Sequence, residues 1–259
     1  MRGLRGTSAG GTVKPVSTIA IYSLKGGVGK TTLAVNLAWS AAVQSARRTL
    51  LWDLDPQGGA SFLIGDGTAN RDSAQSVFSR DVDPATLIRP STVKGLDLLA
   101  ADVSLRGLDR FLYTLGKKKR LAKLLESLDK HYDRVILDCP PGLTEISEQV
   151  MRAADLIMSP VIPSPLSERA LDEVVAFVDR QSGQHAPILP VFSMVDRRRA
   201  LHREALARRP DWPVIPMASA IEQMAVHRAP LGNFAPKAAA AQAYARLWKG
   251  VERKLSKAR

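Results

Sequence analysis

Eight consecutive residues, "KGGVGKTT" at 25–32, supply three glycines, two lysines and two threonines. Gly26, Gly27 and Gly29 let backbone N–H groups converge on an anion without Cβ obstruction. Lys30 stands where it can reach the β- and γ-phosphates of a nucleotide, and the Thr31 hydroxyl where it can ligate Mg²⁺. An apolar run precedes the glycines and a helical pattern follows them, so a helix N-terminus adds its positive dipole end to the cradle. Gly26, Gly27, Val28, Gly29, Lys30, Thr31 and Thr32 are therefore the expected nucleotide-binding loop. Lys25, ahead of the first glycine, is one lysine more than that chemistry needs.

A nucleotide–Mg²⁺ site also requires carboxylates. "WDLDPQGG" puts Asp53 and Asp55 at the end of a second apolar run, and "VILDCPPG" puts Asp138 at the end of a later one. In open α/β sheets the ligand sits beyond the carboxyl ends of the strands, where all three acids would point. One aspartate at a strand end is commonly a cap or turn residue. Three beside a phosphate loop point to the site.

The elements that must position them alternate. "STIAIYS" (17–23), "RTLLWD" (48–53), "LDLLAA" (96–101), "DRVILDCPPG" (133–142), "DLIMSPVIP" (155–163), "PILPVFSM" (187–194) and "WPVIPMA" (212–218) read as strands. Helices are expected over 30–43, 117–130, around "ERALDEVVAFVDR", and over 239–255. In 117–130, Leu121, Leu124, Leu125 and Leu128 follow helical spacing. Residues 54–95 are rich in Gly, Asp, Pro and Ser and predict short helices and loops. Near-continuous apolar strands alternating with helices imply one α/β domain over 17–259, a mostly parallel twisted sheet with helices on both faces. The phosphate loop between its first strand and helix makes the P-loop NTPase fold the expectation. Residues 1–16, basic and glycine-rich, are expected to be a flexible lead-in.

The 259 residues carry 37 Lys+Arg against 25 Asp+Glu, a net charge of +12. Such an excess favours a polyanion, nucleic acid or anionic lipid, although a basic surface without a partner has the same composition. No apolar run reaches the roughly eighteen residues of a membrane span, and the N-terminus lacks the apolar segment of a signal peptide. The single cysteine, Cys139, excludes an internal disulfide framework and a dedicated cysteine metal site. A cytoplasmic protein is expected.

Taken together, these stretches resemble the ParA/MinD family of deviant Walker A ATPases, and the short ParA/Soj-like partition or cargo-positioning members in particular. "KGGVGKTT" matches the family signature, "LLWDLDPQGG" the second motif and "VILDCPPGL" the Walker B strand with its switch. "LDLLAADVSL", "AADLIMSPVIPSPLSERALDEV", "FSMVDRR" and "VIPMASAIEQMAVHRAPLG" follow in the family's order, so the similarity covers nearly the whole chain.

The resemblance implies ATP and Mg²⁺ as cofactors and an ATP-sandwiched homodimer in which Lys25 reaches the partner subunit's phosphates. It implies that Asp138 holds Mg²⁺ through water, that Asp55 positions the attacking water and that Asp53 supports the magnesium shell. Pro140, Pro141 and Gly142 would form the γ-phosphate switch, with Met194 and Pro216 shaping the base pocket. It further implies non-specific duplex DNA as a partner, a nucleoid location, and a ParB-like or cargo-adaptor protein that stimulates hydrolysis. Arg198 matches a family DNA contact and Arg199 adjoins it. A second DNA-contacting arginine is Ala225 here, with His227 and Arg228 near enough to substitute. Gly59 stands where many members have asparagine.

Two rival readings share the chemistry. A MinD-like protein binds membrane through a C-terminal amphipathic helix, and Leu247, Trp248, Val251 and Leu255 do fall on one side of 239–255. A final helix packed on its own domain shows the same pattern and is the expectation here, so a membrane partner is not expected. Metal or redox relatives need paired cysteines, which Cys139 alone does not provide. Basic residues cluster in "MVDRRRALHREALARRP" and in "KKKR" at 117–120. Their sparse aromatics favour contact with a duplex backbone over base stacking.

Overall fold

The computed structural model describes residues 17–68, 72–79, 82–116, 119–180 and 186–257. The lead-in 1–16 and Lys117 and Lys118 of the "KKKR" cluster lie outside them. The apolar runs become β1 (Ser17–Ile21), β2 (Thr49–Asp53), β3 (Ile88–Pro90), β4 (Leu96–Leu99), β5 (Arg134–Asp138), β6 (Leu156–Val161), β7 (Ile188–Val195) and β8 (Val214–Pro216). They form one sheet in the order β3-β4-β2-β5-β1-β6-β7-β8. Every pair is parallel except β3–β4. The antiparallel β3 was not expected, because three residues show no periodicity. Its Pro90 is tolerated because the strand lies at the sheet edge.

Among the described residues, twelve α-helices connect and cover the strands: α1 (Lys30–Trp39), α2 (Gly59–Ile64), α3 (Ser76–Ser79), α4 (Pro84–Leu87), α5 (Leu108–Leu115), α6 (Arg120–Leu128), α7 (Glu145–Ala153), α8 (Pro165–Arg180), α9 (Ala200–Arg208), α10 (Ser219–His227), α11 (Leu231–Phe234) and α12 (Ala239–Lys257). The sheet is buried on both faces, and strand alternation sorts its side chains between two cores. Ile19, Ile21, Leu51 and Ile136 face α1 and α12. Ala20, Tyr22, Leu50 and Leu137 face the side that carries α5 to α8. Helix α6 starts three residues later than its sequence pattern, and its four leucines are buried as expected.

The apolar stripe of α12 belongs to the first core. Leu247, Trp248, Val251 and Leu255 are 6%, 1%, 1% and 6% exposed. Each such side chain contributes about 1.5–3 kcal/mol by leaving water, so this face is held against the domain. The Trp248 indole donates to Ser45 Oγ at 2.8 Å, and Glu252 pairs with Arg47 at 3.1 Å and Arg134 at 2.7 Å. Among the described residues no helix is long and apolar enough to cross a membrane.

Candidate functional site

Three adjacent strands end in register. Asp138 at the end of β5 pairs with Ile21 on one side and Asp53 on the other. The glycine loop leaves β1 there, so the loop and both strand-end acids meet at one edge of the sheet. Connections from β1 and β5 lead to opposite sides, and an α/β sheet opens a crevice at such a switch point. The crevice has a volume of about 590 Å³ and is lined by Gly26, Gly27, Gly29, Lys30, Thr31, Thr32, Asp55, Pro56, Gln57, Pro140, Pro141 and Met194. That is a nucleotide-sized volume.

The loop conformation demands its glycines. Gly27 and Gly29 sit at φ 71° and 89°, a left-handed backbone that favours glycine, and all three loop glycines line the crevice. Gly29 is the N-cap of α1, and Lys30 opens its first turn. The Lys30 Nζ donates to Lys25 O at 3.3 Å. Burial pushes the Lys30 ammonium below its ordinary value, while Asp138 and then Asp55 pull it back up.

The acids differ. Asp138 is fully buried and neither of its oxygens has a hydrogen-bond partner of good geometry, although the Thr31 hydroxyl beside it favours the charged form. Burial, then the neighbouring Asp53 charge, raises its carboxyl well above the ordinary value. A buried carboxylate without donors is costly unless a cation or its water shell completes it. The Thr31 hydroxyl and orphaned Asp138 are therefore oxygen ligands that fit a hydrated Mg²⁺, with the Lys30 ammonium beside them for the phosphates that would carry it.

Asp53 is equally buried but satisfied. Its Oδ1 accepts from Asp55 N at 3.1 Å, and its Oδ2 accepts from Ser61 N at 2.8 Å and Ser61 Oγ at 2.7 Å. Burial nonetheless holds it up at about 6. These bonds organise the turn that presents Asp55. Asp55 lines the crevice, with its Oδ1 accepting from Gln57 N at 2.9 Å.

Lys25 does not line its own crevice. Its Nζ donates to Ser167 Oγ in α8 at 3.4 Å. Behind the loop, the buried Tyr22 hydroxyl donates to Gly142 O at 2.8 Å, which ties β1 to the Pro-Pro-Gly turn. Gly142 has φ 92°, and Thr144 begins α7 with a capping box through Ser147. Met194 lines the crevice in the left-handed region at φ 53°. Pro216 pairs with Val195 at the end of β8 and is absent from the described lining.

The residues expected to meet DNA are exposed but unevenly free. Arg198 grips Asp196 with Nε and Nη2, each at 2.9 Å, while its side chain remains 89% exposed. Arg203 donates to the carbonyls of Arg197 and Arg198, and Arg208 pairs with Glu168 at 3.0 Å. Arg199 is exposed at the N-cap of α9. Arg228 donates from Nε to Phe62 O at 3.0 Å and from Nη2 to Gly65 O at 2.9 Å, bonds that bind it to α2.

Gly59, a departure from the family pattern, has a steric reason: a Cβ there would lie 3.1 Å from Thr31 Cγ2 and 3.3 Å from Thr31 Oγ1. The roles of Ser61, Tyr22 and Ser167 were missed. Each is a common residue type whose partner lies far off in sequence or depends on turn geometry.

Comparison with known proteins agrees with this geometry. A family model described as an AAA domain matches residues 16–189. The chromosome partitioning protein ParA of Caulobacter vibrioides is 32% identical over 201 residues, 74% of this chain and 75% of that protein. The sporulation initiation inhibitor protein Soj of Bacillus subtilis is 37% identical over 147 residues, 55% of this chain and 57% of that protein. A crystal structure of cobyrinic acid a,c-diamide synthase from Mycobacterium smegmatis, with bound ATP analogue and magnesium, superposes with a TM-score of 0.79 at 28% identity. The match covers 94% of this chain and 97% of that one. On a match spanning two thirds of its length and a shared identity above 30% across three quarters of a partition protein, the chain belongs to the ParA/MinD family of P-loop ATPases.

Proposed function

We propose that this chain is a Mg²⁺-dependent ATPase whose ATP-bound form closes into a homodimer, binds duplex DNA without sequence preference, and positions or segregates a cargo. A partner protein on the cargo stimulates hydrolysis and releases the dimer from DNA. The observation that carries this reading is the division of labour between the two lysines. Lys30 lies buried in the crevice beside Asp138, while Lys25 leaves its own crevice for Ser167. A cation held outside its own site is available to a second subunit, which links nucleotide binding to closure.

Bound ATP and Mg²⁺ would supply the phosphoanhydride and the charge-neutralising Lewis acid. The loop N–H groups and Lys30 would hold the phosphates, and Thr31 with Asp138 would hold the metal directly or through its water. Asp55 would orient the attacking water, and Asp53 keeps Asp55 in place by accepting from its backbone N–H while Ser61 holds the other Asp53 oxygen. Tyr22 anchors the Pro140–Gly142 turn, whose two prolines line the crevice and would sense the γ-phosphate. Such a site works by positioning and charge, which fits slow basal turnover until a partner completes it.

Light scattering and nucleotide titration test this. Lys30→Ala should abolish productive ATP binding. Lys25→Ala should bind ATP nearly as the wild type does yet fail to dimerise. Asp55→Ala should dimerise with ATP and turn over about 10²–10⁴-fold more slowly. A Lys25→Ala protein that dimerises normally overturns the sandwich reading.

A further inference from the structure

Helix α2 has six residues, too few to hold its position by internal hydrogen bonding alone. Its contacts therefore decide where it sits. At its N-terminal end α2 comes close to the metal-side threonine: a Cβ on Gly59 would lie 3.1 Å from Thr31 Cγ2 and 3.3 Å from its Oγ1. In the middle, Ser61 holds Asp53 through both N–H and hydroxyl, and the same hydroxyl accepts from Ala101 N at 2.8 Å. At its C-terminal end the two carbonyls of Phe62 and Gly65 accept the forked bonds of Arg228. The guanidinium lies 5.2 Å from the centroid of the Phe62 ring, and the fork places a cation at the negative end of the helix. Arg228 is itself the C-cap of α10 at φ 45°, a backbone position that arginine rarely adopts.

We propose that Arg228 is a positioning residue for the metal side of the nucleotide site. By clamping the C-terminal carbonyls of α2 to α10, it presses Gly59 on Thr31 and keeps Ser61 on Asp53. This inference rests on the nucleotide-site reading above. It gives Arg228 a task distinct from touching DNA phosphate, and the two tasks separate by chemistry. A phosphate contact needs a positive charge, which lysine retains. The clamp needs two parallel donors and a flat cation over a ring, which lysine lacks.

The test compares wild type, Arg228→Lys and Arg228→Ala in titrations with fluorescent N-methylanthraniloyl-ADP, in Mg²⁺ and in EDTA. Amide hydrogen exchange of the nucleotide-free proteins runs alongside. The clamp predicts that both variants lose about tenfold of the Mg²⁺-dependent gain in affinity, the low end of what outer-shell partners of a metal site contribute. Affinity in EDTA should be unchanged, and exchange should quicken in residues 59–65 while the rest of the chain keeps its protection. Arg228→Lys should retain binding to random duplex DNA. A lysine variant that matches wild type in Mg²⁺ gain and exchange overturns the clamp, as does an exchange increase spread evenly over the domain. If wild type itself shows no Mg²⁺-dependent binding, the nucleotide-site reading fails, and the exchange comparison still decides the clamp. Should Arg228→Ala not fold, the lysine variant and Phe62→Leu carry the same comparison.

Discussion

The crevice and the arginine-bearing surface are both rich in charge, and they are organised by opposite rules. In the crevice, strand register places Asp53 and Asp138 side by side, and burial then forces each to find a partner or be left costly. One is satisfied by Ser61 and Asp55, and the other is left for a cation. On the surface no register operates. Arg198 takes Asp196 and Arg203 takes two carbonyls within a few residues of itself, while Arg208 in α9 takes Glu168 in α8. A buried charge left without a partner is therefore a pointer to chemistry, while a count of exposed cations overstates what is free to meet a partner.

The largest expected effect comes from the two register-paired acids, which should respond with opposite signs. Asp138→Asn should lower Mg²⁺-dependent nucleotide affinity by about 100-fold or more. It should also raise the melting temperature of the nucleotide-free protein, since an unpartnered buried carboxylate is removed. The sign follows from linkage: a carboxyl raised in the folded state stabilises below its ordinary value near 4, and that stability is lost as pH rises through the folded value. The gain in melting temperature should therefore be larger at pH 8 than at pH 5. Asp53→Asn should instead destabilise by about 1–3 kcal/mol, because an amide NH₂ would face the Ser61 donors. Calorimetric melts that move both variants in the same direction would break the comparison.

A smaller effect sharpens the surface half. Binding of the ATP-loaded protein to random duplex DNA across a salt series should flatten by roughly two in log–log slope per dimer when one arginine per subunit is reversed, at about 0.9 per phosphate contact. Arg199→Glu should weaken binding more than Arg198→Glu, because Asp196 already neutralises part of the Arg198 charge. Equal losses would show that the Arg198–Asp196 pair opens freely on DNA. Anionic-liposome sedimentation should show no ATP-dependent binding, given the buried stripe of α12.

The smallest effect is set by pH. His202 is buried, and its Nδ1 accepts from Asp196 N at 3.0 Å, a bond that only the neutral ring can make. Burial, then Arg199, lowers its basicity, with Asp196 opposing. A depressed histidine stabilises above its ordinary value near 6.5, and that stability is lost as pH falls through the folded value. Nitrogen chemical shifts of His202 and exchange of the Asp196 amide should therefore report loosening of the 196–199 turn below about pH 6.5 and none above. A turn that loosens on raising the pH would reverse this assignment.

Much of the site was legible because its signals are local and chemically narrow. The spacing of Gly26, Gly27, Gly29, Lys30 and Thr31 has few other uses, and an apolar strand ending in aspartate marks the carboxyl edge of a sheet. The seven expected strands all form, since each is an apolar run, fully buried in β1, β2, β5 and β6 and partly buried toward the β8 edge. The short β3 and α2 were not resolved as elements because they are shorter than any periodicity, and they are held by contacts with other parts of the chain.

By itself, then, the order of residues determined a parallel sheet covered on both faces, the loop, and which acids stand at its edge. Periodicity and strand ends are properties of neighbouring residues. The tertiary structure alone decided which acid is satisfied, where Lys25 rests, and that Arg228 meets α2. Those outcomes depend on the register between strands and on residues as far as 166 positions apart, Arg228 and Phe62 among them, brought within hydrogen-bond distance only when the helices close on the sheet.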